Sequence, residues 1–139
     1  MDNITAHAQW IEVKIVSENM TLQVKNASLD WGKFYEKGDK GKEISADKVN
    51  KITVESGKEE SICSCGKSST ATGTEGRFDL YDGETKIGKF YWDCPWWSKK
   101  NTFTWTPEED IQDDYYTTCQ GGHADSGAIG EVTIICIRP

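Results

Sequence analysis

Residues 77–92 read RFDLYDGETKIGKFYW, and this stretch decides the fold class. Phe78 and Leu80 alternate with polar neighbours, which is the period-two pattern of a β-strand that buries one face. Asp82-Gly83 is a strong hairpin signal, because a tight turn needs residues that tolerate positive φ angles. The apolar residues within 87–92 predict the returning strand. The stretch therefore predicts an antiparallel hairpin with one buried face.

Similar short segments recur along the chain. Val132–Ile137 is apolar at successive positions, which predicts a central strand covered on both faces. Segments 34–43 and 66–76 are polar and broken by glycine, which predicts loops. Short helical turns are predicted after Ser45 and from Thr106, where Thr-Pro-Glu-Glu forms a capping box. The remaining alternating segments are 11–15, 22–24, 52–54, 103–105 and 115–119. The pattern predicts an all-β protein: a single-domain antiparallel β-sandwich over residues 1–139 with one or two short helical turns.

Composition excludes several partners. The chain has 139 residues, with 16 Lys and Arg against 23 Asp and Glu, for a net charge of -7. An acidic chain is a poor ligand for nucleic acid or for anionic lipid, since both need a basic surface. The sequence contains neither an apolar run of about 18 residues nor a signal-peptide pattern at its start. We therefore expect no nucleic-acid partner, and synthesis in the cytosol.

Cysteine and histidine residues do not form a recognisable catalytic or metal site. The five cysteines are an odd number, so a monomer keeps at least one free thiol. Cys63 and Cys65 share one strand face, and their spacing with Cys119 and His123 does not fit structural zinc sites. His7 is the other histidine, and no nucleophile, phosphate-loop or metalloprotease motif occurs. We expect no metal, no cofactor and no enzymatic activity.

The tryptophans exceed what one core can hold. Trp10 has the parity of the polar residues of its strand, so an extended strand points it away from the core. The parity of Trp31 cannot be read, because Gly32 follows it. The densest cluster lies at 90–97, FYWDCPWW, where strand alternation prevents neighbouring residues from entering one core. Pro95 ends the strand pairing there.

Loop tryptophans beside lysines suit a membrane surface. Trp96 and Trp97 follow Pro95 and precede Lys99 and Lys100. Aromatic rings attract the ammonium of a zwitterionic headgroup, while lysine reaches the phosphate. The residues thus indicate binding to a choline- or ethanolamine-phosphate lipid. A sandwich core with one crowded end is the alternative interpretation.

The chain resembles the aegerolysins, which are small acidic proteins of fungi and some bacteria. The most distinctive matching run is 90–96, FYWDCPW, followed by Ser98-Lys99 and Asn101. The other matching pieces, in family order, are Ala8-Gln9-Trp10, Trp31-Gly32-Lys33, Gly38-Asp39-Lys40, Cys65-Gly66-Lys67-Ser68, Gly73-Thr74-Glu75-Gly76, Phe78-Asp79-Leu80 and Asp125-Ser126-Gly127-Ala128-Ile129-Gly130.

The resemblance implies an actinoporin-like β-sandwich that binds membrane sphingolipids, either ceramide phosphoethanolamine or sphingomyelin with cholesterol. It also implies a larger partner of the membrane-attack-complex/perforin type, which supplies the pore. We also expect action at the target membrane surface after unconventional secretion, as a monomer or weak dimer. The lipid contacts that it implies are Trp10, Trp31, Tyr91 and Trp96, with Lys99 beside the phosphate. Trp92 is either a further lipid contact or part of the core.

Three departures separate this chain from the family pattern. Thr72 stands where members selective for sphingomyelin with cholesterol carry Glu, so a hydrogen-bond acceptor is lost. Trp97 replaces the usual Gly and either adds an apolar ring at the membrane edge or fills a gap. Cys63, Cys119 and Cys136 are additional thiols, which raises the hypothesis of a disulfide particular to this chain. The alternative functions are a stand-alone haemolysin and a sandwich that binds carbohydrate or protein.

Overall fold

Two β-sheets form the molecule in a computed structural model that describes residues 7–67, 72–96 and 99–139. The larger sheet has the strand order β10-β11-β1-β6-β3-β4. Its strands are β1 (Trp10–Glu18), β3 (Lys33–Glu36), β4 (Asp39–Ile44), β6 (Glu59–Cys65), β10 (Tyr116–Gly121) and β11 (Gly130–Ile137). The smaller sheet has the order β5-β2-β7-β8-β9. Its strands are β2 (Leu22–Trp31), β5 (Thr53–Val54), β7 (Thr74–Asp82), β8 (Thr85–Cys94) and β9 (Thr102–Pro107).

The predicted all-β sandwich is confirmed, with one exception to its antiparallel pairing. β1 and β11 run parallel, with Ile11 opposite Gly130. β11 lies between β10 and β1, and its inward residue Ile134 is fully buried. Its outward residues Ile135 and Ile137 are only half-buried, so the prediction of cover on both faces holds in part. Among the residues described, no helix combines the length and apolar character needed to cross a membrane.

Aromatic rings fill the space between the sheets. Phe78 and Phe90 lie opposite each other on β7 and β8, with ring centroids 5.7 Å apart. Trp92 stacks beside Phe90, and Phe34 of the larger sheet meets Trp92 edge-on at 6.3 Å. All four side chains are almost fully buried. The alternation seen in residues 77–92 therefore identifies the core correctly.

The turns and helical turns predicted from the sequence agree with the structure in part. The hairpin at Asp82-Gly83 is confirmed, with Gly83 at φ 61°. Ser45 caps a helical turn, α1 (Ala46–Val49), and its hydroxyl accepts a hydrogen bond from the Lys48 amide at 3.1 Å. The short helical turn predicted from Thr106 is present but begins later, because β9 continues to Pro107 and a 3-10 turn (Glu109–Ile111) follows. Ile111 is buried, and the packing of its side chain in the core fixes the position of this turn.

The predicted loop at 34–43 is instead the β3–β4 hairpin. Gly38 occupies its turn at φ 86°, and Phe34 pairs with Ile44. β4 is an edge strand and mostly exposed, so it needs no apolar face. Its charged side chains protect the edge from pairing with other chains, which explains why a strand has the composition of a loop.

Candidate functional site

A cleft of about 260 Å³ opens at one end of the sandwich, where β2 and β8 end and β7 begins. The backbone around it is unusually close-packed. A Cβ atom at Gly73 would lie 1.8 Å from the carbonyl oxygen of Cys94, so only glycine permits this approach. The side chains that shape the cleft are Trp31, Thr72, Glu75, Asp93, Pro95 and Trp96.

Strand register places two carboxylates beside a tryptophan. Trp31 of β2 lies opposite Glu75 of β7, and Glu75 lies opposite Asp93 of β8. Residues opposite each other on neighbouring strands share a face, with Cβ atoms about 5 Å apart. The outer face of the smaller sheet therefore presents an aromatic ring and two acidic groups in one row.

Hydrogen bonds and burial set the electrostatics of this row. The Tyr91 hydroxyl donates to the Glu75 carboxylate, which raises the pKa of Tyr91 to about 12 and keeps it neutral. The Arg77 guanidinium stacks 5.5 Å from the centre of the Tyr91 ring and pairs with Asp30. Arg77 is thus paired with Asp30 beside the row.

The surroundings of Asp93 disfavour the ionised form of its carboxyl group. Burial raises its pKa, the neighbouring Glu75 raises it further, and Lys99 lowers it. The carboxylate is held in a site that disfavours its charge, and a cation entering the cleft would relieve that cost. The cleft is therefore suited to a small cation.

Aromatic surface flanks the acidic row. Trp31 is 57 % exposed, and in the described residues the other large apolar side chain exposed to this degree is Tyr116, at 58 %. Trp96 lines the same cleft and is half-buried. Trp31 also borders a second, smaller cleft beside Asp30 and Lys67. Its indole therefore stands between an acidic cleft and one that contains a lysine.

The structure brings most of the predicted residues together. Trp31, Thr72 and Trp96 line the cleft, and Tyr91 adjoins it through Glu75. Lys99 lies close enough to lower the pKa of Asp93. Trp97 lies outside the described residues.

Trp92 does not belong to this surface, and its prediction as a lipid contact is wrong. The side chain is fully buried against Phe34, Phe78 and Phe90. Its indole N–H donates to the Thr74 hydroxyl at 3.1 Å, which satisfies the polar atom inside the core. From Gly88 onwards the buried residues of β8 are the even-numbered ones, so Trp92 follows Phe90 into the core.

Trp10 points away from the main core, as its parity predicted, but it does not line the cleft. It packs over Tyr35, Cys63 and Cys65 on the outer face of the larger sheet. The Lys40 ammonium lies 4.8 Å from the centre of its ring. Its role in lipid binding stays a prediction.

Sequence reasoning missed Glu75 and Asp93. The signal was present in part: Asp93 is two residues after Tyr91 and so shares its face. The position of Glu75 between Trp31 and Asp93 depends on pairing between distant strands, which the sequence alone does not give.

The thiols and acids of the described residues form no metal-binding group of three or more His, Cys, Asp or Glu. All five cysteines are free, so the structure shows no disulfide for the hypothesis raised by the additional thiols. Cys119 is exposed and the others are buried. Burial raises the pKa of Cys63 to about 12 and that of Cys65 to about 11, which makes both poor nucleophiles.

Comparison with known proteins gives the family. Residues 8–138 match the family model described as Aegerolysin. The chain is 41 % identical to Asp-hemolysin of Aspergillus fumigatus over 136 residues, covering 96 % of each protein. Among solved structures, IP-1A from Alcaligenes faecalis has a TM-score of 0.92 and 39 % identity, over 99 % of this chain and 96 % of its own. RahU in complex with a TRIS molecule has a TM-score of 0.89 and 43 % identity, over 96 % and 98 %. The chain belongs to the aegerolysin family of haemolysin-like, lipid-binding proteins.

Proposed function

We propose that this protein recognises membrane sphingolipids by their zwitterionic headgroup and has no catalytic role. One observation carries the proposal: the cleft sets Trp31 and Trp96 beside the carboxylates of Glu75 and Asp93. Aromatic faces and carboxylates are the two groups that bind an ammonium ion most strongly in proteins. The headgroups of ceramide phosphoethanolamine and sphingomyelin both carry such a cation.

The phosphate of the headgroup has a partner nearby. Lys99 lowers the pKa of Asp93 electrostatically, and in this proposal its ammonium receives the phosphate at the edge of the cleft. An ammonium in the cleft and a phosphate at its rim match the two charges of a zwitterion. RahU, at 43 % identity, was crystallised with TRIS, a hydroxylated primary amine, so a small amine binds to that relative.

The second part of the proposal concerns lysis. The protein acts at the target membrane surface as the lipid-binding component of a two-component cytolysin, and a perforin-type partner supplies the pore. β7 and β8 are the longest hairpin, and they bury Phe78, Phe90 and Trp92. Releasing this hairpin to enter a bilayer would dismantle the core. The name of Asp-hemolysin favours the alternative, a stand-alone haemolysin.

Sedimentation with vesicles tests the headgroup proposal. We expect binding to vesicles that contain ceramide phosphoethanolamine or sphingomyelin, the latter with and without cholesterol. Because aromatic contacts are insensitive to screening, this binding should persist at about 0.5 M salt. Binding to phosphatidylserine vesicles that disappears at that salt concentration would contradict the proposal.

A matched pair of variants locates the site. Trp31→Ala should abolish sedimentation, because it removes an exposed ring from the cleft. Tyr81→Ala removes an aromatic ring from the same outer face at the far end of β7, where Lys25 stacks on it. Equal losses in the two variants would place the binding surface elsewhere.

A further inference from the structure

A row of side chains on the outer face of the larger sheet contains a buried lysine. Lys33 begins β3 and is only 7 % exposed. It lies opposite Cys65 of β6, and Cys65 lies opposite Trp10 of β1, so the three residues share one face of the sheet. Lysine is almost never buried to this degree unless a group of opposite charge accompanies it. The identity of that group is therefore the question that this row raises.

Lys40 brings a second ammonium group to the same row. Its Nζ lies 4.8 Å from the centre of the Trp10 ring and donates to the His7 backbone carbonyl at 3.0 Å. Lys40 belongs to β4, and the strands β3 and β6 lie between β4 and β1 in the sheet. The β3–β4 hairpin therefore curls over the outer face, where its lysine covers the row that holds Lys33.

The acids on this face are paired with other lysines. Glu12 pairs with Lys37 at 3.5 Å, and Glu43 pairs with Lys67 at 3.8 Å. Among the residues that the structure describes, no carboxylate forms an ion pair with Lys33 or with the second lysine of the row. In a chain of net charge -7, these two ammonium groups are a local excess of positive charge.

The His7 side chain adds a hydrogen-bonding group that lacks a partner. Its Nε2 atom is buried, and no group in the described part of the chain forms a hydrogen bond with it. Burial lowers the pKa of this imidazole, and Lys33 and Lys40 lower it further, so the ring is neutral at pH 7. A neutral imidazole that carries its proton on Nε2 can donate to an anion, which would satisfy this nitrogen.

We propose that Lys33, Lys40 and His7 form a binding site for a phosphate group, separate from the headgroup cleft. The two ammonium groups match the charge of a phosphate, and charge-assisted hydrogen bonds to its oxygens are strong. The imidazole N–H supplies a third donor. Phosphate fits three donors better than a carboxylate does, because it presents more oxygen atoms.

This phosphate site lies at the same end of the sandwich as the cleft. Trp31 borders the cleft, and Lys33 follows it after Gly32, where the chain passes from the smaller sheet to the larger. A Cβ atom at Gly32 would lie 2.6 Å from the Cys65 carbonyl oxygen, so this passage is tight and keeps the two sites close. The next step rests on the proposed function: a membrane held by the cleft presents the phosphate of a neighbouring lipid to the second site. A soluble phosphate ester is the other source of the same group.

NMR of the two histidines tests the site, with inorganic phosphate as the probe. Titration at constant pH should shift the imidazole signals of His7 and leave those of His123 in place. Sodium chloride at the same ionic strength should shift neither. Lys33→Met and Lys40→Met preserve the length of the side chain but remove its charge, and each should weaken phosphate binding about tenfold or more.

Lys42→Met is the matched control. It removes the same charge from an exposed position of β4, where Lys42 pairs with Glu36, and should leave the phosphate titration unchanged. The proposal is overturned if phosphate does not shift His7. It is equally overturned if Lys33→Met, Lys40→Met and Lys42→Met all bind phosphate as the wild type does.

Vesicle sedimentation identifies the source of the phosphate. If a neighbouring lipid supplies it, Lys40→Met should weaken binding to sphingomyelin vesicles about fivefold, and the difference should vanish at about 0.5 M salt because it is electrostatic. If a soluble ester supplies it, Lys40→Met should bind the vesicles as the wild type does, and phosphorylethanolamine should shift His7 at lower concentrations than inorganic phosphate. Full vesicle binding by Trp31→Ala would instead refute the headgroup proposal, while the phosphate titration still decides the second site.

Discussion

The ionised Asp93 side chain lowers the stability of the folded protein and, in the proposed function, binds the ammonium of the ligand. Burial and Glu75 raise the pKa of this carboxyl, so its ionised form is less favourable in the folded protein than in the unfolded chain. The ionised group therefore lowers stability at neutral pH, and that loss is recovered as the pH falls through the raised pKa. Binding of an ammonium follows the opposite course, because it needs the ionised form.

Asp93→Asn should separate these two effects. We expect thermal unfolding at pH 7 to occur at the same or a higher temperature, and binding to sphingomyelin vesicles to weaken about fivefold. Wild-type binding should fall on acidification at a higher pH than an ordinary aspartate would give. Asp113→Asn removes an exposed carboxylate elsewhere and should leave binding unchanged. A destabilised Asp93→Asn variant with full binding would refute both assignments.

Two tryptophans of the same motif should respond in opposite ways. Trp96→Ala should lose vesicle binding while its unfolding midpoint changes little, because Trp96 lines the cleft. Trp92→Ala should lose about 3–5 kcal/mol of unfolding free energy, because its ring is fully buried. Urea denaturation and vesicle sedimentation on both variants provide the check, and the reverse pattern would exchange the two roles.

At the scale of elements, β7 carries the core through its alternation. Phe78→Ala removes a ring that contacts both Phe90 and Trp92, with centroids 5.7 and 6.3 Å away. We expect a loss of about 3–5 kcal/mol in urea denaturation. Tyr81→Ala, on the outer face of the same strand, should cost less than about 1 kcal/mol. Similar losses in the two variants would mean that the alternation does not define the buried face.

The alternation of apolar and polar residues predicted the strands that bury one face. It failed for strands in which no face is buried, because their sequence is then free of the apolar pattern. β7 and β8 were readable because Phe78, Leu80 and Phe90 must face inward. β4 was not, because an exposed edge strand selects charge and glycine just as a loop does. The parallel pairing of β1 with β11 was also unreadable, since it joins segments at the two ends of the chain.

At the scale of the whole molecule, only the aromatic residues of the candidate site could be predicted from the sequence. Trp31, Tyr91 and Trp96 stand in recognisable sequence motifs, and the structure gathers them at one end of the sandwich. The acidic row was hidden because Glu75 reaches Trp31 and Asp93 only through the register of three strands. A group of side chains that is brought together by strand register can be identified only once the fold is known.

The assembled sandwich also makes a prediction about lysis. β1 with β11, and β7 with β8, are paired over eight or more positions, and their inward side chains form the core. A membrane-spanning rearrangement would give up these hydrogen bonds and that buried surface together. We therefore expect the purified protein to bind sphingolipid vesicles without releasing an entrapped dye. Release should appear when a perforin-type partner is added, and Trp96→Ala should abolish it because the partner is no longer recruited. Dye release by this protein alone, from a preparation free of any partner, would instead establish the stand-alone haemolysin.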